Sequence, residues 1–407
     1  MDVVTERVAG IDISKRDAKV CVRVPSTRAG QYRKTTTTYG SMTGEIQRLG
    51  DDLVAAGVQL VVMEATGTYW KPFFFGLVDR LEVMLVNARA VKGIPGKKTD
   101  VNDAQWLAEL AAHSLVSPCF VPDEPIRQLR DLTRTRKHLT QEKSREWARL
   151  ENNLEDAGIK IAAVVSTLTT VSARRILDAL VAGERDPRVL AGLAHASMLP
   201  KAALLIESLR GRFGEHHAFM VGMHLRRIDA IEADIAAIDL QVEKVIAPFR
   251  DLRDGLTTIP GIKQNTASAI IAEIGTDMTR FQTQGHLASW AGVCPSQNES
   301  AGIVKSTHVR PGNAYLKAAL GIAVLAIASS DTVLGTKYRR LRARIGKRRA
   351  IVAIEHTLLN AIWRMLQTGE AWTERPPRPR PHNDPASQAI RTLNNQGWDV
   401  ELHPRAA

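Results

Sequence analysis

The sequence predicts an α/β domain followed by a mainly helical remainder. Strand-like and helix-like patterns alternate as far as Pro122, and strand signals almost vanish beyond it. Two later stretches carry the three- and four-residue apolar spacing of long, packed helices.

Taken in order, residues 6–24 read as a strand, a turn at Ser14-Lys-Arg-Asp17, and a second strand alternating at Val20, Val22 and Val24. The chain therefore starts with a β-hairpin. A helical pattern over 44–56, an apolar strand over 59–63, a helix over 68–80, a strand over 83–86 and a helix over 100–113 follow. That alternation predicts a mixed sheet covered by helices and a first domain spanning 1–122.

Residues 123–254 read as a helical, coiled-coil region. One helix is expected over 126–155, where Arg127, Arg130, Arg134, Arg136, Lys137, Lys143, Arg145 and Arg149 interleave with Leu129, Leu132, Leu139, Leu150 and Leu154. Ile228, Ile231, Ile235, Ile238, Val242 and Val245 then form a seam of barely three heptads. It fits either two helices packing within the chain or a dimerisation arm. Over 255–370, Ile259-Pro-Gly-Ile-Lys263 ahead of a helix over 265–273 has the look of a helix-hairpin-helix, whose exposed backbone N–H groups hold a phosphate without reading bases. An ordinary interhelical loop is the alternative. Between Trp290 and Lys317 a polar loop separates two helical segments, and in the tail, 371–407, Arg375-Pro-Pro-Arg-Pro-Arg-Pro381 excludes helix and central strand, so disorder is expected there.

With 407 residues, 44% hydrophobic and 24% charged, the chain has enough apolar material for several domains. No apolar run reaches the roughly 18 residues that span a bilayer, and the first residues lack a basic and then apolar leader, so a cytoplasmic, membrane-free protein is expected. Cys21, Cys119 and Cys294 are too scattered for a disulfide framework or a structural zinc site, and read as buried thiols. A net charge of +12 points to a polyanionic partner. The excess is uneven. Residues 1–125 hold 15 Lys/Arg and 15 Asp/Glu, whereas 337–349 hold eight basic side chains and no acid, a pattern that fits a nucleic-acid surface or a solvated helix face.

Four acids stand out against these patterns: Asp12, Glu64, Asp100 and Asp103. A carboxylate ending a buried strand is costly to desolvate unless it is paired or holds a cation. Asp100 and Asp103, three apart at a helix start, lie on one face and could share that cation. Four such oxygen ligands suit Mg²⁺ or Mn²⁺, which clamp the attacking and leaving oxygens of a phosphodiester. A capping role for Asp100 and a turn role for Asp12 are the plainer reading. Ser300 lies in the polar loop beside Lys305, His308, Arg310 and Lys317. Serine becomes a nucleophile only when its surroundings activate it, and serine-rich loops are common. His308 and His356 read as solvated or core residues.

Together, Gly10-Ile-Asp-Ile-Ser-Lys15, Met63-Glu-Ala-Thr-Gly67, Lys98-Thr-Asp-Val-Asn-Asp-Ala104, Ile259-Pro-Gly-Ile262 and Arg310-Pro-Gly-Asn-Ala-Tyr-Leu316 resemble the DEDD transposases of the insertion sequence 110 family, also called bridge-RNA-guided recombinases. The resemblance covers about 8–365. It implies a RuvC-like, ribonuclease H-type first domain, a coiled-coil middle and a C-terminal transposase domain with a catalytic serine. It puts the DEDD tetrad on Asp12, Glu64, Asp100 and Asp103, and the serine on Ser300. Family members carry glycine straight after that serine, whereas here Ala301 intervenes, so Ser289, Ser296 and Ser306 stay as alternatives.

The expected activity is therefore recombination of donor and target DNA by an insertion-sequence transposase through a serine-phosphate link, with Mg²⁺ (or Mn²⁺), a structured noncoding RNA as guide, and a homodimer or homotetramer. Lys263, Lys305, Arg310, Lys317, Arg339, Arg340, Arg348 and Arg349 are the expected phosphate contacts. Rival readings are a RuvC-like nuclease of branched DNA that needs the four acids but not Ser300, and a nonenzymatic nucleic-acid-binding protein built on the hairpin and the basic run.

Overall fold

The computed structural model describes residues 3–28, 30–88, 102–295, 298–300, 303–306, 308–374 and 385–400, with the backbone alone at 102, 298–300, 303–306, 385–388 and 391. It divides into two compact units, Met1–Pro122 and Asp123–Ala407.

In the first unit, β1 (Val8–Ile13), β2 (Asp17–Pro25) and β3 (Tyr32–Gly40) form an antiparallel meander. The next two strands, β4 (Leu60–Glu64) and β5 (Glu82–Val86), add in parallel on the other side of β1, giving the order β3-β2-β1-β4-β5. Ser14 and Asp17 close the first hairpin, with the Ser14 N–H donating to the Asp17 carbonyl at 2.8 Å. Alternation sends Ala9, Ile11, Val61 and Met63 to one face, against Leu49 and Leu53 of α1 (Thr43–Ala55) and Phe73 and Leu77 of α2 (Trp70–Leu77). Val8, Leu60 and Val62 go to the other, under Ala104, Leu107, Ala108 and Ala111 of α3 (Asn102–Ala112). Strand β3 gives no apolar alternation because it is an exposed edge. Its Tyr-Arg-Lys-Thr-Thr-Thr-Thr core relies on β-branched side chains that suit the pleat.

The second unit is nearly all helix. Two long helices, α4 (Glu124–Asp156) and α8 (Glu215–Val245), pack against each other. Between them in sequence come α5 (Val171–Val181), α6 (Pro187–Gly192) and α7 (Ala202–Ser208). The coiled-coil seam is thus met by a helix of the same chain: Ile228 and Val242 are buried, and Ile231, Ile235, Ile238 and Val245 are half-buried. Polar rungs cross the pair, from Arg136 to Asp239 (2.5 Å), from Lys143 to Glu232 (3.3 Å) and from His224 Nδ1 to Glu146 (2.8 Å).

Beyond α8 follow α9 (Arg250–Thr257), α10 (Gln264–Ile274), α11 (Gln284–Ala291), α12 (Ala314–Ile327), α13 (Val333–Ile345) and α14 (Lys347–Thr368), sharing one apolar core. Two expectations are corrected here. The polar loop before α12 holds an antiparallel hairpin, β6 (Asn298–Ser300) and β7 (Ile303–Ser306), too short for a periodicity to register. Within the tail expected to be disordered, α15 (Pro385–Asn395) is helical, opening on a proline at a position where the missing N–H costs nothing. Among the described residues no helix is long and apolar enough to cross a membrane.

Candidate active site

Asp12 and Glu64 reach the same edge of the sheet because β1 and β4 run parallel in matched register. Ile11 pairs with Met63, so the next residue of each strand, Asp12 and Glu64, stands beside the other at the carboxyl ends. Both follow the parity of Gly10 and Val62, on the face under α3. Ala112 at the helix end accepts from the N–H groups of Val4 (2.8 Å) and Thr5 (3.2 Å), ahead of β1, while Ala104 at the helix start touches Gly10. Helix α3 therefore runs antiparallel to β1, and its first turn carries Asp103 towards the end that holds Asp12 and Glu64.

Gly10 makes this approach possible. A Cβ there would lie 2.2 Å from the Ala104 carbonyl oxygen and 2.5 Å from the Ala108 nitrogen, so only glycine lets the helix settle on the strand. Asp12 and Glu64 are half-buried and Asp103 is exposed. Directly across from Asp12 on β2 lies Lys19, a cation on the same face that sequence patterning did not single out, since only the strand register brings it there. Asp100 lies outside the described residues, and among those described no three His, Cys, Asp or Glu side chains form a metal-holding group. As a donor set, three carboxylates without sulfur or imidazole fit a hard divalent cation.

Ser300 is the last residue of β6, opposite Ile303, so it stands at the turn end of the hairpin. Lys305 and Ser306 belong to β7, Ser289 is exposed on α11, and Ser296 lies outside the described residues. The two feet of the hairpin cross at backbone distance. A Cβ on Gly312 would come within 2.1 Å of the Ala291 carbonyl oxygen, and one on Gly292, at φ +72°, within 2.5 Å of that of Arg310. Asn313 then caps α12, its Oδ1 accepting from the N–H groups of Tyr315 (3.0 Å) and Leu316 (3.1 Å).

The same Asn313 donates from Nδ2 to Glu273 at 2.6 Å. Glu273, 1% exposed at the end of α10, also takes two hydrogen bonds from Arg134, while Arg130 binds the carbonyl oxygens of Ala272 and Glu273 at 2.9 Å each. Burial pulls the Arg130 guanidinium below its ordinary pKa. Arg134 meets the same burial, but its bonds to Glu273 outweigh it and hold the guanidinium above its usual value. Arg134 also stacks 4.3 Å from the Tyr315 ring centroid, and His138 Nε2 lies 2.9 Å from the Tyr315 hydroxyl. Sequence reasoning placed Arg134 on a basic helix face and missed Glu273 entirely. A lone acid inside Ala-Ile-Ile-Ala-Glu-Ile274 was the available signal.

The remaining cations differ in what they already hold. Helices α9 and α10 flank the Pro-Gly turn. Gly261 (φ +84°) is wedged against the Ala323 carbonyl, and Lys263, Gln264 and Asn265 are exposed at the start of α10. Arg310, Arg340, Arg348 and Arg349 are exposed, and Lys317 is half-buried. Arg339 donates to the Ser330 carbonyl at 2.8 Å, closing the turn after α12. Within the basic run, Lys337 turns inward and donates to the Thr357 hydroxyl at 2.9 Å. His308 is exposed, and His356 is half-buried.

The family DEDD_Tnp_IS110, described as a transposase, matches residues 9–159, the span of all four acids. A second family, described as transposase IS116/IS110/IS902, matches residues 253–339, the span of the Pro-Gly turn, the serine hairpin and the Asn313 cap. The insertion element IS110 uncharacterized 43.6 kDa protein of Streptomyces coelicolor is 30% identical over 153 residues, which is 37% of this chain and 37% of that relative. The alignment thus spans little more than a third of the curated relative. Matched at the acid-bearing strands and again at the hairpin and its cap, the chain belongs to the IS110 family of transposases.

Proposed function

We propose that this protein is a site-specific DNA recombinase, the transposase of an insertion sequence, which cuts and rejoins DNA through a serine-phosphate intermediate. The observation that carries the reading is the delivery of Asp12, Glu64 and Asp103 to one end of a β3-β2-β1-β4-β5 sheet, an order that fits a RuvC-like, ribonuclease H-type domain. We read 1–122 as that domain, 123–254 as a helical, coiled-coil region, 255–370 as the transposase domain with the helix-hairpin-helix and the catalytic serine, and 371–407 as a Pro/Arg-rich tail. Asp12, Glu64 and Asp103, joined by Asp100, would hold Mg²⁺ or Mn²⁺. Such a cation, when bound, offsets negative charge on the scissile phosphate.

Ser300 attacks the phosphorus, its proton leaves with a basic group or water, and the displaced 3′-oxygen departs as one strand end while the 5′-phosphate stays on the serine. The incoming 3′-hydroxyl of the partner strand then attacks that phosphoserine and restores the serine hydroxyl. Bond energy is conserved, and no nucleotide cofactor is consumed. Placement of Ser300 at the turn end of the β6–β7 hairpin supports a residue that must enter a DNA strand. Lys263, Arg310, Lys317, Arg340, Arg348 and Arg349, with Lys305 in β7, supply phosphate contacts. Donor and target DNA, a structured noncoding RNA guide, assembly as a homodimer or homotetramer and a cytoplasmic location belong to the same reading.

A nicked suicide substrate tests it. Ser300 should be trapped on DNA in denaturing gels, and Ser300→Ala should remove the adduct while nucleic-acid binding persists. Asp12→Ala, Glu64→Ala and Asp103→Ala should each abolish strand cleavage with RNA binding nearly unchanged. Cleavage that survives Ser300→Ala without any adduct would instead establish a nuclease using water, and activity that survives all three acid substitutions would remove the metal site.

A further inference from the structure

The hairpin that carries Ser300 is gripped at its base on both sides. An antiparallel bridge joins Pro295 to Val309, and below it the backbone at Ala291 and Gly292 crosses that of Arg310 and Gly312 as closely as only glycine permits. The chain leaves this crossing at Gly312 and enters α12 through Asn313. That side chain works in two directions: its Oδ1 accepts from the N–H groups of Tyr315 and Leu316, and its Nδ2 donates to Glu273 at 2.6 Å. Glu273, buried at the end of α10, is held from its other side by Arg134 of α4. Tyr315, in the first turn of α12, meets the same helix, with the Arg134 guanidinium 4.3 Å and the Lys137 ammonium 4.7 Å from its ring centroid. Helix α4 and the end of α10 therefore set the direction in which the hairpin leaves the core.

A buried ion pair seldom stabilises a fold more than apolar side chains of the same shape, so its use lies in the geometry it specifies. Distance magnifies that geometry here. From the bridge at Pro295 to Ser300, strand rise allows a reach of about 17 Å, so a tilt of about 10° at the base carries the turn end about 3 Å. In-line attack on a phosphodiester tolerates far less, since a misplacement of about 1 Å can cost about 100-fold in rate.

We propose that Glu273 and Asn313 are positioning residues for strand cleavage: the hydrogen bond between them aims the β6–β7 hairpin, and Ser300 with it, at the scissile phosphate. The proposal rests on the serine-phosphate reading and adds a requirement that lies outside both the nucleophile and the acids.

Asn313→Ser separates the two tasks of Asn313, because serine caps a helix as well as asparagine does but lacks the amide that reaches Glu273. Asn313→Asp also keeps the cap, yet sets a carboxylate against Glu273; adding Glu273→Gln restores a hydrogen bond there with donor and acceptor exchanged. Each full-length protein, in excess over a nicked suicide substrate, is followed through a single turnover by the Ser300 adduct it forms. Positioning acts on the rate constant, which should fall about 100-fold in Asn313→Ser and further in Asn313→Asp, with final adduct yield and DNA dissociation constant held within about twofold. The rate constant of Asn313→Asp should recover about tenfold when Glu273→Gln is added. A role in folding alone would instead lower the yield and leave the rate constant of the remaining active protein unchanged. An unchanged rate constant in both single variants, a loss confined to yield, or no recovery in the double variant would overturn the proposal and leave the serine reading standing. Absence of a Ser300 adduct in the unaltered protein would overturn both.

Discussion

The guanidinium of Arg134 donates to both carboxylate oxygens of Glu273, 2.7 Å from Nε to Oε1 and 2.8 Å from Nη2 to Oε2, and so ties α4 to the end of α10. Because Asn313 binds the same carboxylate, this pair also fixes the turn that enters α12 after the serine hairpin. Glu273→Ala would leave two guanidiniums without their counter-charge, at a cost of about 3–5 kcal/mol. Glu273→Gln keeps one acceptor and should lose less. Urea denaturation of the three proteins checks the ranking, and equal stability of Glu273→Ala and the unaltered chain would refute it.

Gly10 supplies a test in the first unit. Gly10→Ala places a methyl 2.2 Å from the Ala104 carbonyl oxygen, where neither backbone can yield cheaply, so a loss of roughly 1–3 kcal/mol or more is expected. The same clash lifts the first turn of α3 and Asp103 with it. DNA cleavage should therefore fall much further than the population of folded protein does, as followed by circular dichroism on the same samples.

The exposed arginines should separate from the engaged one. Neutralising Arg340, Arg348 and Arg349 is expected to lower the log–log salt slope of duplex binding by about 0.9 for each phosphate that no longer meets a cation. Arg339→Gln should change the slope less and the melting temperature more, since Arg339 holds the Ser330 carbonyl. Binding measured across a salt series, beside thermal melts, distinguishes the two behaviours.

Glu146 introduces a pH dependence. Burial alone would push its carboxyl upward, but the hydrogen bond from His224 and the charges of Arg149 and Arg227 outweigh burial and hold it below the usual carboxylate range. With the folded pKa depressed, the stabilisation is fully present above the unfolded value and is lost as pH falls through the folded one. The stability gap between the unaltered protein and Glu146→Gln should thus be wide near roughly pH 7 and close towards roughly pH 3. A gap that widens on acidification would reverse the assignment.

How much of this was legible in the sequence follows from how local each signal is. Strands β1, β4 and β5 are apolar runs between turn residues, and α4 spans Glu124–Asp156 against an expected 126–155, because such patterns are written in adjacent residues. Asp12 and Glu64 stood out as acids interrupting those runs. Their adjacency depends on a parallel pairing across some fifty positions that no local pattern encodes. Edge strand β3 and the β6–β7 hairpin escaped for the opposite reason, having too little buried surface to impose alternation. Lys337 looked like one more charge in a basic run, and only the packing of α13 on α14 turns it inward.

The paired helices α4 and α8 have a consequence for cooperativity. At 33 residues, α4 runs about 50 Å. One end, through Ile126 and Leu129, belongs to the core shared with α10 to α14, and the other, through Leu150 and Leu154, to a separate core with α5 and α7. The stretch between is held by polar rungs and few fully buried side chains, a composition that resists unfolding less than either end. Amide protons should accordingly exchange slowly at both ends of the pair and faster across its waist, so that the helices behave as two cooperative blocks joined by a segment that opens on its own.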